Sequence, residues 1–560
     1  MKNFNEIEYK RLNFDDIKEQ VTSLTKRLDE ATEYETFIYI FKQIVQVQNH
    51  IEEMYDYADI RNMRDSSDEF YNDEINFWNE YKPKFDLLFN SFYEICMSSN
   101  FKEQLKEVVP ENFFNIIEFQ LRINKEEIMD LKKRENELKL EYRKIVRQKV
   151  IFGGEEKTIG YVSSFFSNKD RNIRKEAHDT VNDFYYRSQS ELDTIYFQLI
   201  NTRNEMATIL GFDDYSIYSL YKLKRFGYNY DDIEIFRNNV IKYIIPLCKK
   251  MNEWKKEELN LEDIEYYDTI YFKEMPKLLY NGSIFIEKFK DSLKNIDDNL
   301  SYLYEEMVER GYIDLEARDN KVNFSITNYL VESSLPTITA NLRNSYLDVQ
   351  VISHEFGHAY QKYNAGIKDK NYIVSALLKY PTFDIAEIFS FAMELICLPH
   401  ITNLFEEQDY KKYCFMKIYN LASILPYICL VDEFQQKIYA FKNLKVEDIR
   451  RTWLELTKKY SLEKNNAGHI NLETGGYFYR QSHIIEDPFY YIDYALSYFG
   501  AFALADSCKN DLKLFEEIGA VASYYPFDKL IKDYNMPNPF DEGSVSNIAK
   551  MLEKNMLKYK

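Results

Sequence analysis

The sequence predicts a mostly α-helical protein, built as two large lobes around a small β element. Three observations carry that reading. Apolar residues recur at three- and four-residue spacings over long stretches, Gly and Pro number only 15 and 12, and strand-like patterns are confined to short segments. No Ser/Gly- or Pro-rich linker and no internal repeat interrupts the chain, so its 560 residues read as one continuous assembly with ample length for a core.

Taken in order, "FKQIVQVQNHIEEMYDYADI" has helical apolar spacing, as do the segments from Phe113 to Leu140 and from Glu191 to Leu210. "QKVIFGGEEKTIGY" predicts a hairpin turning at Gly153-Gly154. A helix then starts in "FFSNKDRNIRKEAHDTVNDFY", with Asn168 or Asp170 as its cap. "SLPTITANLRN", Ser334 to Asn344, is rich in β-branched residues and contains a proline, which predicts an edge strand. A boundary near residue 200 separates an N-terminal helical lobe with the hairpin, 1–200, from a second, larger region, 201–560.

Composition removes several function classes. A net charge of −20 repels phosphate backbones and argues against nucleic-acid binding. Apolar runs such as "IFSFAMELICL" are far shorter than a membrane span, so no membrane association is expected. The six scattered cysteines form no CxxC pair, and the N-terminus lacks an apolar signal core, which together predict free thiols and a cytoplasmic location. The 48 tyrosines and 40 phenylalanines are read mainly as compositional bias.

The chemistry concentrates in "VISHEFGHAY", which holds two of the seven histidines. Residues i and i+4 of a helix share a face, so His354 and His358 can present two imidazole nitrogens to one metal ion. Glu355 projects beside them, within reach of a metal-bound water, and this is the physical content of H-E-x-x-H. A catalytic zinc also needs a third protein ligand and an open position. "DIAEIFSFAMELICL" offers carboxylates among apolar residues, where an unpaired charge is costly. Glu387 is the expected third ligand, and Glu394, two turns on, is suited to a hydrogen bond onto a ligand histidine. The competing readings are a pair of hydrogen-bonded structural histidines and ordinary buried ion pairs.

These segments resemble the M3 family of zinc metallopeptidases, the thimet oligopeptidase and oligoendopeptidase F group, and look closest to its Pz-peptidase-like members. "SHEFGHAYQ" is similar to the family's helix motif, "EIFSFAMEL" to its E-x-x-S-x-x-x-E helix, and "RQSHIIEDPFYYIDYALSYFGA" to its tyrosine-rich segment; "DRNIRKEA" and "LPTITAN" add to the likeness. It runs from about Phe165 to Gly500. The family's Gly-rich stretch before the edge strand and Asn-Gly-Thr after it are replaced here by "NFSITNY" and "NLRNSYLDV".

The resemblance implies a deep substrate channel between helical lobes, one Zn²⁺ per chain, and short peptides as substrates. It implies zinc held by His354, His358 and Glu387, with Glu355 as general base for attack by metal-bound water. It also implies hydrogen bonds to the developing oxyanion from Tyr491, Tyr494 and His483. Tyr490 and Tyr498 are expected to be structural, as are His50, His178 and His400, and His469 receives no role. Thr337, Thr339 and Asn341 on the expected edge strand would hold the peptide extended. The alternatives are a zinc carboxypeptidase or dipeptidase, distinguished by its need for a free C-terminus, and a non-catalytic peptide-binding protein of the same fold. A purely structural helical scaffold would use the periodicity and ignore the motifs.

Overall fold

The computed structural model describes residues 3–333, 335–368, 376–378, 380–462 and 468–560. Helix dominates it, as the apolar spacing requires. The first periodic stretch lies in a helix spanning Tyr34–Arg64, and a later one forms Gln189–Ile209. The stretch from Phe113 to Leu140 divides into Asn112–Ile123 and Met129–Val146, because Lys125 between them takes an extended conformation. Asp170, rather than Asn168, caps the helix Arg171–Arg187 by accepting from the Asn172 N–H.

The hairpin forms where expected. Strand β1 (Lys149–Phe152) pairs antiparallel with β2 (Glu155–Thr158), and Gly153 and Gly154 between them have φ of +60° and +83°. Two successive positive φ values are what a tight hairpin turn of matching twist demands.

The second sheet corrects the edge-strand expectation. It contains β3 (Ile313–Asp314), β4 (Ile326–Leu330) and β5 (Leu335–Thr339) in the order β3-β5-β4. The "LPTIT" strand is therefore the inner one. Ile338 and Ala340 donate to the Tyr312 and Asp314 carbonyls on one side, while β4 pairs antiparallel on the other. Ser334 lies outside the described residues. Thr337 and Thr339 are buried, and Thr339 Oγ1 accepts from Arg64 Nε (3.3 Å) on the N-terminal helix. Asn341 donates its amide to the Val322 carbonyl. With both backbone edges taken and its Thr side chains buried, this strand cannot add a peptide as a further strand, so the substrate-binding assignment of Thr337, Thr339 and Asn341 falls. The edges are the two-residue β3 and the longer β4, and on β4 two backbone groups are already met: the Thr327 carbonyl by Lys362 Nζ (2.6 Å) and the Tyr329 N–H by Tyr380 Oη (3.1 Å).

Four helices frame the region that follows: α1 (Leu347–Lys368), α2 (Phe383–Cys397), α3 (Glu407–Ala440) and α4 (Ile492–Ser507). Helix α2 packs against both α1 and α4. Gly357 sets the α1–α2 approach, since a Cβ there would lie 2.6 Å from the Phe389 carbonyl oxygen and 2.8 Å from Ser390 Cα. Asp348 accepts from the Arg343 and Ser345 N–H groups (3.0 and 3.1 Å), tying the exit of the sheet to the start of α1.

Helix α3 departs from the expectation drawn from short apolar runs. It is long and apolar enough to cross a membrane by length and composition, yet 72% of its most apolar window is buried within the fold. It is a core helix whose partners are other helices. All six cysteines are free thiols.

Candidate functional site

Helical spacing on α1 brings His354 and His358 together, with ring centroids 5.0 Å apart. Glu387, delivered by α2 across the Gly357 contact, completes a triad. Its Oε2 lies 3.3 Å from His354 Nε2 and 3.5 Å from His358 Nε2, and the three ligand atoms all lie within 4.8 Å of one another.

Surrounding groups fix Glu387 and His354. Ser390 Oγ donates to Glu387 Oε2 (2.7 Å), and Tyr490 Oη donates to Glu387 Oε1 (3.0 Å). His354 Nδ1 meets Glu394 Oε1 at 2.7 Å, which leaves Nε2 free to face the triad. The other oxygen of Glu394 is paired with the buried Lys417. Burial alone would lower the His354 pKa, but Glu387 and Glu394 outweigh it and raise it to about 10. Burial likewise opposes ionisation of Glu387, and the two imidazoles overcome it, holding the carboxylate well below its usual range. Two imidazole nitrogens and a carboxylate, set in surroundings that draw positive charge, match the donor chemistry and number of a zinc site with room for a further ligand.

Glu355 is buried beside the triad. Thr327 on β4 donates to its Oε2 (2.7 Å), and the same hydroxyl lies 3.0 Å from the Glu355 carbonyl. The β element thus contributes to the site through one threonine that points at α1.

A cavity of about 370 Å³ opens over this helix, lined by His354, Glu355, Phe391, His483, Tyr491, Tyr494 and Tyr498 among others. The His483 ring lies 4.9 Å from Tyr491 and 6.2 Å from Tyr494. Burial raises both phenol pKa values far above the ordinary range, with Tyr477 adding for Tyr491 and Glu387 for Tyr494, so both remain O–H donors. Burial lowers the His483 pKa, and Asp487 and Glu486 only partly oppose it. Tyr427 Oη donates to Gln481 Oε1 (3.3 Å), which turns the Gln481 amide nitrogen to His483 Nδ1 (2.6 Å). In this arrangement neutral His483 accepts at Nδ1 and carries its proton on Nε2.

The residues expected from the sequence thus gather, apart from the three on or beyond β5. His469 instead faces Asp183, with Nε2 3.4 Å from a carboxylate oxygen. Sequence reasoning missed four contributors: Thr327, Lys417, Gln481 and Tyr490. Tyr490, expected to be structural, donates to Glu387. The only local signal for it was its place in "PFYYIDY", four residues before Tyr494.

Comparison with known proteins gives a consistent result. Residues 4–124 match the model of the peptidase M3 N-terminal domain, and residues 164–522 match that of peptidase family M3. No curated protein matches. Among solved structures, Pz peptidase A with an inhibitor is 29% identical, with a TM-score of 0.91 and 99% of each chain covered. A protein assigned as an oligoendopeptidase F is 28% identical, with a TM-score of 0.92 and 99% of each chain covered. Another so assigned, from Bacillus anthracis str. Ames, is 25% identical, with a TM-score of 0.87, covering 100% of this chain and 98% of that one.

Proposed function

Since the chain belongs to peptidase family M3 and is therefore a peptide hydrolase, we propose that it is a zinc-dependent endopeptidase of short peptides. The observation that carries this reading is the meeting of His354, His358 and Glu387 beside a buried Glu355, under a cavity rimmed by phenols and an imidazole.

His354 Nε2, His358 Nε2 and Glu387 would hold the metal. When bound, zinc supplies a Lewis acid that makes water acidic near neutral pH and polarises a carbonyl. Glu355 accepts a proton from the attacking water at its carboxylate and passes it to the leaving amine. The hydrogen bond from Thr327 holds that carboxylate in one orientation. Tyr491, Tyr494 and His483 Nε2–H donate to the substrate carbonyl oxygen as charge develops on it. Glu394 fixes the His354 tautomer, and Tyr490 and Ser390 fix the Glu387 carboxylate. The free thiols support a reducing, cytoplasmic location.

Mass spectrometry of a peptide library digested with and without a chelator tests the assignment. Internal cleavage that stops with the chelator and returns with zinc is expected. Removal of C-terminal residues alone would favour a carboxypeptidase, and no cleavage by zinc-loaded protein would favour a binding protein.

A further inference from the structure

A second cavity, of about 640 Å³, continues from the first, and Ile424 and Tyr491 line both. Its walls are largely apolar, with Met251, Leu430 and Trp453 among them, but its charged lining has one sign. Lys249, Lys458 and Arg480 face it, with no aspartate or glutamate among the described residues, in a chain that carries 92 acidic against 72 basic residues. None of the three cations has an ion-pair partner among the described residues. The Arg480 guanidinium lies over the rings of Phe166 and Tyr477, each centroid 5.1 Å away. Contacts of that kind hold a guanidinium in place without neutralising its charge. Arg480 also directly precedes Gln481, which orients His483 in the catalytic cavity.

We propose that this cavity is a carboxylate-binding subsite, with Arg480 as the specificity-determining residue and Lys249 and Lys458 adding positive field. It rests on the peptidase reading and narrows the substrate class to short peptides that carry an apolar residue next to a carboxylate. The apolar walls take the side chain, and Arg480 takes the carboxylate of the peptide's C-terminus or of an Asp or Glu side chain. A substrate whose scissile bond lies over α1 reaches Arg480 by passing Ile424 and Tyr491, the residues shared by the two cavities.

The test uses zinc-loaded enzyme and four internally quenched peptides of one sequence: free C-terminus, amidated C-terminus, and amidated forms with Glu or Gln in the C-terminal half. Wild type is expected to favour one carboxylate-bearing peptide over its neutral counterpart by about tenfold in kcat/KM, as a charge-assisted contact in a partly exposed site allows. The favoured pair identifies the source of the carboxylate. Arg480→Gln should bring the ratio close to one and Arg480→Lys should restore part of it. Should Arg480→Gln fail to fold, the ratio in wild type should shrink at high salt and in Lys249→Gln/Lys458→Gln. Cleavage of all four peptides without preference, or a preference untouched by these changes, overturns the subsite alone. Cleavage of none overturns the peptidase reading and the subsite with it.

Discussion

In the proposed zinc site Glu394 would join metal binding to fold stability, and one pair of substitutions separates the two. Its Oε1 holds His354 Nδ1 at 2.7 Å, its Oε2 meets Lys417, and both Glu394 and Lys417 are buried. Glu394→Gln replaces the carboxylate behind a ligand histidine by a weaker, neutral acceptor. Loss of such an outer partner typically costs about 10- to 100-fold in metal affinity, or about 1.4–2.7 kcal/mol. The same change strands the Lys417 ammonium without its counter-charge, at a cost of about 3–5 kcal/mol in folding stability. Adding Lys417→Met removes the stranded charge and should recover most of the stability, but it cannot rebuild the bond to His354. Zinc affinity is read by competition with a chromophoric chelator. Stability is read by denaturant unfolding of metal-stripped protein, so that metal linkage does not enter. Expected is a single variant weak in both measurements and a double variant weak only in zinc. A single variant with wild-type zinc affinity, or a double variant that regains affinity along with stability, refutes the assignment of Glu394 as the partner that orients His354.

Three further outcomes follow from the same geometry. Thr327→Val removes the hydrogen bond to Glu355 at similar volume, so kcat should fall about tenfold with zinc content unchanged; an unchanged kcat would show that Glu355 needs no such support. Gly357→Ala should destabilise the protein by about 1–3 kcal/mol and weaken zinc binding by pushing α1 from α2; a stabilised variant would mean that helix propensity outweighs the clash with the Phe389 carbonyl. His483 should titrate below the ordinary imidazole value and carry its neutral-state proton on Nε2, by nitrogen-detected NMR. Because its folded pKa is lowered, the unfolded chain binds this proton first, and stability should fall as pH drops below about 6.5; a midpoint above that value contradicts the buried environment.

What could be read from the sequence was what lies within a turn or two of one helix. His354 and His358 share a face by spacing alone, with Glu355 one position round the helix, and the isolated carboxylate of Glu387 stands out as a candidate third ligand because burial without a partner is costly. Their partners come from far along the chain. Thr327 lies 28 residues from Glu355, and Lys417 lies 23 from Glu394. The β-branched run "LPTIT" announced a strand correctly but not its neighbours. The strand that covers its outer side, β3, has only two residues, too few to make a pattern. The apolar character of α3 was equally ambiguous, since a core helix and a membrane helix satisfy the same composition and only packing separates them.

In the proposed reaction Glu355 moves the proton at a metal site it does not itself hold. Zinc content and peptide turnover measured together on Glu355→Gln test it most directly. The prediction is one zinc per chain, as in wild type, with kcat reduced by about 10²–10⁴. Turnover near the wild-type rate in that zinc-loaded variant would contradict it.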